Sequence, residues 1–433
     1  MTALLLGLLL ATTGPDCPVW HGTAPDPPPP VAAVRARLAE AAQTAGADCL
    51  DRALASLRSR YGLPYAAGDE ALVVARGGGE VAVAGDATGW QPVPMERVRV
   101  PGPGGAEPSL WFHTLTLPPD ARVDYKLVVD GEWVLDPFNP HQQWGGAGPN
   151  SELRMPGWRA APETAPRPDV PGGTWSGPDT LQSAALGEPV VVRVYAPPGV
   201  EGRALRLGAR GGAPGALPLV VVTDGHEYAD PRLGALPTVL DNLWHEGRLP
   251  PLVAVFVDPR WDGQNRRQSH YVDHPGFADF VATELVPAVE AVYPVARRRE
   301  ARAVLGTSLG GLFAATLGAR HPDVFGALAI QSPAFWVGAG PDAPAPGFTS
   351  WRPAWSGPSV YDRLRTTDAP LRISMSTGTI RDTEAGARRM RDALRGTPHT
   401  LTYREVPEGH SWGQWRGLVG AQLADLFGTP EAE

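Results

Sequence analysis

The spacing of apolar side chains changes twice along this chain. From Val31 to Tyr61 they recur at Val34, Leu38, Ala41 and Ala42, then at Leu50, Leu54 and Leu57, the three-and-four spacing of amphipathic helices. Gly46 divides the run, so two helices are expected behind the stiff connector Pro27–Pro30. Between Ala71 and Pro156 the period shortens. Leu72–Ala75, Val81–Ala84, Leu110–Leu115 and Val123–Asp130 are short β-rich runs broken by turns, the pattern of a β-sandwich. Pro156 to Gly187, rich in Pro, Gly and Ala, reads as a linker. Beyond it, wholly apolar runs such as Leu217–Val222 and Ala303–Leu305 alternate with helical stretches, which predicts a doubly wound, mostly parallel α/β sheet. The expected organisation is a leader over 1–16, a connector and helical segment over 17–66, a sandwich over 67–158, a linker over 159–187 and an α/β domain over 188–429.

The candidate chemistry lies in that last domain. Gly306-Thr307-Ser308-Leu309-Gly310-Gly311 follows the apolar run Ala303–Leu305 and opens a helical stretch, the strand, sharp turn and helix of a nucleophile elbow. So tight a turn leaves no room for β-carbons two residues either side of the serine, which explains Gly306 and Gly310. Ser308 is therefore the candidate nucleophile of an α/β-hydrolase. A serine hydroxyl needs a histidine to take its proton and an acid to orient that histidine, and in this fold they follow in the order Ser, acid, His.

Three of the chain's 10 histidines come after Ser308. His321 precedes Pro322 just past the elbow helix, a cap or surface position. His399 directly precedes the last expected strand, Thr400–Val406. His410 follows that strand in the loop Pro407–Trp412, and loops at strand C-terminal ends are where such sheets keep their chemistry. His410 is the candidate base. The acid should follow the strand Leu371–Ser376, where Asp382 stands nearer the strand end and Glu384 already suits the first turn of a helix, leaving Asp382 as first choice. The oxyanion formed on attack needs two backbone N–H donors. Leu309 supplies one, and either His226 or Glu227, in the loop after Leu217–Thr223, supplies the other.

Further segments go with the elbow: Thr223-Asp224-Gly225-His226-Glu227-Tyr228, Leu249–Asp258, Glu284-Leu285-Val286-Pro287, Gln331–Trp336, and Gly409-His410-Ser411-Trp412 with Trp415. Together they resemble the enterochelin (ferric siderophore) esterase-like branch of the esterase D-type family, from about Val190 to Leu426. The resemblance implies ester hydrolysis through an acyl-enzyme, with no cofactor. It also implies that Arg267, in Asn265–Tyr271, helps hold an anionic substrate, although the glutamate that accompanies this arginine in the family is missing here. If the strand-end loops converge, Trp336, Trp412 and Trp415 line an aromatic-friendly acyl pocket, with Tyr228 beside it. Siderophore trilactones, feruloylated or acetylated polysaccharides, and small aliphatic or thioester substrates all fit. Acyl transfer to a sugar hydroxyl, or a noncatalytic binding role with a vestigial elbow, are the rival readings. Gly85–Trp90, Tyr125–Trp133 and Asp136-Pro137 resemble the early-set, immunoglobulin-like sandwich of glycogen-binding modules. Trp90, Trp133 and Trp144 there offer either a sugar platform or ordinary core aromatics.

Charge and cysteine content narrow the partners. A formal net charge of −8 argues against nucleic acid or an anionic membrane as partner. No apolar run reaches the ~18 residues of a membrane span. Met1–Gly14 is an apolar segment of signal-peptide length without a basic residue before it, so export to the periplasm or beyond is expected, with a cytoplasmic location as the alternative. Cys17 and Cys49 are the only cysteines; an exported chain would join them, and neither has a His or Cys cluster suggesting a metal.

Overall fold

The computed structural model describes residues 17–20, 27–44, 46–101, 109–209, 211–212, 215–339, 355 and 357–428. The expected leader, 1–16, lies outside the described residues. The chain divides into two compact units, one reaching Gln142 and including Ser151–Trp158, the other made of Gln143–Asn150 and everything from Arg159 onward.

The first unit holds helices α1 (Val31–Thr44) and α2 (Gly46–Tyr61), then strands β1 (Tyr65–Ala67), β2 (Glu70–Gly77), β3 (Val81–Gly85), β4 (Val93–Pro94), β5 (Glu96–Arg99), β6 (Ser109–Thr116), β7 (Arg122–Val129) and β8 (Glu132–Val134). Strands β9 (Gln142–Gly145) and β10 (Gly148–Arg154) complete the sandwich. One sheet runs β1-β2-β6-β5; the other runs β4-β3-β7-β10-β9, with β8 also paired to β7. The helical stripe Val34, Leu38, Leu50, Leu54 and Leu57 is buried against Leu72, Val74, Leu110 and Phe112, so the helices cap the first sheet instead of standing apart from it. A disulfide joins Cys17 to Cys49. Trp90 and Trp133 stack at 6.4 Å, whereas Trp144 is held within the second unit under the Arg232 guanidinium, 4.3 Å from its ring.

The second unit contains β11 (Thr174–Gln182), β12 (Pro189–Ala196), β13 (Leu219–Val222), α3 (Gly225–Ala229), α4 (Leu236–His245), β14 (Val253–Asp258), β15 (Arg260–Trp261), β16 (Gln264–Asn265), α5 (Arg267–Tyr271), α6 (Pro275–Asp279) and α7 (Val286–Val292). It continues through β17 (Arg302–Thr307), α8 (Leu309–Arg320), β18 (Ala327–Gln331), α9 (Val360–Arg365), β19 (Arg372–Gly378), α10 (Glu384–Ala393), β20 (Thr400–Val406) and α11 (Trp412–Phe427). The sheet order is β11-β12-β14-β13-β17-β18-β19-β20, antiparallel through β14 and parallel from there on. Strands β13, β17 and β18 are buried along their whole length, as a parallel sheet covered on both faces requires. Val221, Val255, Val304, Leu328 and Ile330 face the layer containing α8. Val220, Val222, Ala254, Leu305 and Ala329 face the opposite layer, with α4 and α11.

The stretch 159–187, expected to be a linker, supplies the edge strand β11. Its alternation is broken by a bulge between Ser176 and Asp179, where Gly177 takes φ 83° before Pro178, so a genuine strand carries the residues of a turn. Among the described residues, no helix is long and apolar enough to cross a membrane.

Candidate active site

The carboxyl ends of β13, β17, β19 and β20 point the same way and feed the loops that hold the reactive groups. Ser308 sits between β17 and α8 with φ 56° and ψ −115°, a conformation that costs a non-glycine residue energy and is held by its surroundings. Its N–H donates to the Gln331 carbonyl (2.9 Å), and its own carbonyl accepts from Ala334 N–H (2.9 Å). A β-carbon on Gly306 would lie 2.2 Å from the Gly310 carbonyl oxygen, and one on Gly310 would lie 2.3 Å from Thr223 Oγ1. Both glycines are needed for the reason the sequence suggested: backbone and neighbouring strand occupy the space of their side chains.

His410 Nε2 stands 3.1 Å from Ser308 Oγ, and Nδ1 2.6 Å from Asp382 Oδ1. Asp382 is buried, and its other oxygen accepts from Ser332 Oγ (2.6 Å), Gly378 N–H (2.6 Å), Gln414 Nε2 (3.1 Å) and Thr377 Oγ1 (3.2 Å). Burial by itself would raise this carboxyl, but the His410 charge and the surrounding hydrogen bonds outweigh it and hold Asp382 below its ordinary value. An ionised carboxylate only accepts, so His410 carries its proton on Nδ1 and turns the Nε2 lone pair toward Ser308. The imidazole is braced edge-on against Trp415 (4.9 Å), whose Nε1 donates to Ser332 Oγ (2.9 Å). Glu384 instead occupies the first turn of α10. His321 ends α8 and meets Asp279 (2.8 Å), and His399 accepts from Leu371 N–H with Nδ1 (3.1 Å) while Nε2 meets the Leu364 carbonyl (2.8 Å).

For the oxyanion, Leu309 N–H is the first amide of α8, where no intrahelical partner exists. Of the two candidates opposite, the Glu227 amide is committed to the Asp224 carbonyl (2.9 Å), which leaves His226.

The expected substrate contacts fare differently. Arg267 stands beside the elbow, its Nε donating to Asp224 Oδ1 (2.8 Å) and its Nη2 to the carbonyl of Thr307 (3.2 Å). Its carboxylate partner thus comes from the loop after β13 and not from its own loop. Among the described residues, Tyr228, Trp336 and Trp412 form no open acyl pocket, each being almost wholly buried. Tyr228 is 0% exposed and donates to Gln331 Oε1 (2.5 Å), and Trp412 is 4% exposed, edge-on to Tyr228 and Trp415. Trp336, 8% exposed, packs in the core on the other side of the sheet. An aromatic near a strand end is drawn into the nearest layer because its apolar area outweighs what solvent exposure offers. Sequence reasoning missed Gln414 and the roles of Asp224 and Ser332, whose partners lie 32 to 50 residues away in the chain.

Among the described residues no cluster of three His, Cys, Asp or Glu side chains is arranged to hold a metal. A pocket of about 570 Å³ lined by His274, Phe313, Thr316, Arg320 and Arg363 opens beside α8, and none of the three aligned residues borders it.

The Iron(III) enterobactin esterase of Escherichia coli (strain K12) is 30% identical over 224 residues, covering 48% of this chain and 50% of that protein. The chain thus spans about half the length of this curated relative. The Bacillus subtilis (strain 168) protein YjcH, uncharacterized, is 23% identical over 212 residues, covering 48% of this chain and 84% of its own. The fold is shared with the enterobactin esterase of Shigella flexneri, solved in the presence of enterobactin (TM-score 0.62, 23% identity, 82% of this chain and 92% of that one). It is shared equally with the ferric enterobactin esterase of Salmonella typhimurium (TM-score 0.62, 21% identity, 83% and 94%). The family model described as Putative esterase matches residues 183–426, more than half the chain, and the protein belongs to that family.

Proposed function

We propose that this protein is a serine carboxylic-ester hydrolase that works through an acyl-enzyme. The observation that carries the reading is the alignment of Ser308 Oγ, His410 and Asp382, at 3.1 and 2.6 Å, on a strained elbow. His410 Nε2 takes the Ser308 proton as Oγ attacks the ester carbonyl. The negative charge on the carbonyl oxygen is met by the N–H groups of Leu309 and His226. The tetrahedral species collapses, the alcohol leaves with the proton from His410, and water repeats the sequence to free the acid and Ser308. Asp382 stays ionised, holding the imidazole in its tautomer and stabilising the imidazolium.

The substrate class favoured is a siderophore or related aryl ester, by likeness to relatives named enterobactin esterases. Arg267, one-quarter exposed beside the elbow, supports an anionic acyl or leaving group. A burst of p-nitrophenol from p-nitrophenyl acetate that Ser308→Ala abolishes tests the chemistry; its absence in the intact protein refutes it. Parallel hydrolysis of ferric enterobactin, methyl ferulate and acetylated xylan tests the class, and preference for long-chain lipid esters contradicts it. The joined Cys17 and Cys49 support export, since disulfides persist in oxidising compartments. Cell fractionation with thiol labelling tests this, reduced cysteines in a cytosolic fraction being the contrary result.

A further inference from the structure

Beside the elbow the charged groups are paired, with one exception. Asp224 is matched by Arg267 (2.8 Å) and Asp258 by Arg260 (2.9 Å), with His226 Nδ1, whose protonation burial disfavours, 3.3 Å from Asp258 Oδ1. Glu227 lies among them on α3, next to the proposed oxyanion amide of His226, and its carboxyl has neither a hydrogen bond nor an ion pair among the described residues. The turn of the β9–β10 hairpin closes over it, since a β-carbon on Gly146 would sit 3.1 Å from Glu227 Oε1. That turn is pinned from the same unit: Gln143 donates to the Arg232 carbonyl (3.2 Å), Arg416 donates to Gln143 Oε1 (2.7 Å), and Arg232 covers Trp144.

A half-buried carboxylate with no protein donor is only partly hydrated, so a ligand that supplies a donor there replaces hydration the site restricts. We propose that Glu227, roofed by the hairpin turn at Gly146, is a specificity-determining residue of the ester site, accepting a hydrogen bond from a hydroxyl or N–H group carried by the ester close to the scissile bond. This inference rests on the esterase reading given above. Esters bearing such a donor are then preferred over hydrocarbon isosteres.

The groups facing Glu227 are Asp224 from the end of β13, Arg267 from α5, Asp258 and Arg260 from the end of β14 and the start of β15, and His226 from its own helix. Burial, and after it the Asp224 charge, push the Glu227 carboxyl up to about 7, against the smaller pull of Arg267 and Arg260. The stronger, ionised acceptor therefore forms as pH rises through 7, and the preference grows with it. For the same reason folding loses stability between the ordinary glutamate value and 7, because the unfolded chain ionises first.

The test compares p-nitrophenyl 3-hydroxybutyrate with p-nitrophenyl 3-methylbutyrate, which differ by OH for CH3, on the full-length protein. The wild-type ratio of kcat/KM should be about 10-fold in favour of the hydroxy ester at pH 8, as a hydrogen bond to a charged acceptor gives, and smaller at pH 6. Glu227→Leu should bring the ratio to one or below at both pH values, and Glu227→Gln should leave a pH-independent remainder. A ratio that Glu227→Leu leaves intact, or that falls as pH rises, overturns the proposal. Thermal unfolding gives a second readout without turnover: Glu227→Gln should raise Tm at pH 8 and less at pH 5, and a lower Tm at pH 8 would mean that the carboxyl already has a structural partner. If p-nitrophenyl acetate is not hydrolysed at all, the esterase reading fails; if it is hydrolysed and the two esters are treated alike, only this inference fails.

Discussion

Replacing Asp382 by Asn distinguishes the proposed acid of the site from its neighbour Glu384. Four donors converge on Asp382 Oδ2, from Ser332, Thr377, Gly378 and Gln414, so the amide oxygen of an asparagine must take that side. Its NH2 then faces His410 Nδ1, which can only respond as an acceptor. The imidazole proton moves to Nε2 and points at Ser308 Oγ, where a base is required. A wrong tautomer in such a triad lowers turnover about 10⁴-fold, or about 5.4 kcal/mol of transition-state stabilisation at 1.36 kcal/mol per decade. Because the four donors keep an acceptor, the fold should lose only about 1–2 kcal/mol, the difference between charged and neutral hydrogen bonds. The assay is steady-state hydrolysis of p-nitrophenyl acetate by Asp382→Asn and Glu384→Gln beside the wild type, with urea unfolding of each. Glu384→Gln should stay within about threefold of wild type, since Glu384 is a half-buried first-turn carboxylate of α10 whose contribution to turnover is limited to dipole effects. A loss under tenfold in Asp382→Asn, or an equal loss in Glu384→Gln, refutes the reasoning. The acid limb of stability gives a further check. The Asp382 value is depressed in the fold, so its contribution is present above the ordinary 3.8 and is lost as pH falls through the lower folded value. Asp382→Asn should be less acid-sensitive than the wild type there.

Three other outcomes follow from the packing. Gly310→Ala should destabilise by about 3 kcal/mol or more in urea melts, because its β-carbon meets Thr223 Oγ1 at 2.3 Å, whereas Gly417→Ala, with open space around it inside α11, should stabilise by about 0.5–1 kcal/mol. Tyr228→Phe should cost about 1–3 kcal/mol by stranding buried Gln331 Oε1 and shift KM by less than threefold; a large KM change would restore a substrate role to this side chain. Reducing Cys17–Cys49, or replacing both with Ser, should lower stability by about 3–4 kcal/mol for a 32-residue separation, read by chemical unfolding with and without reductant.

What the sequence determined by itself is what local geometry dictates. Ser308 was legible because an elbow needs Gly306 and Gly310 within two residues of it, and His410 because the end of strand β20 is marked by its own alternation and turn. The paired helices and the buried strands β13 and β17 were legible for the same reason, since period and turn residues act over a few positions. Tertiary structure alone decided what depends on distant neighbours. Asp382, and not Glu384, is held against His410 because Ser332 and Gln414, 50 and 32 residues away, converge on it. Arg267 finds its carboxylate in Asp224, 43 residues earlier. Trp336 and Trp412 read alike along the chain, yet they lie in different layers, because the sheet and not the local sequence sets which side a strand-end loop covers. Strand β11 stayed hidden because a bulge at Gly177-Pro178 uses turn residues, and only pairing with β12 distinguishes such an edge strand from a linker.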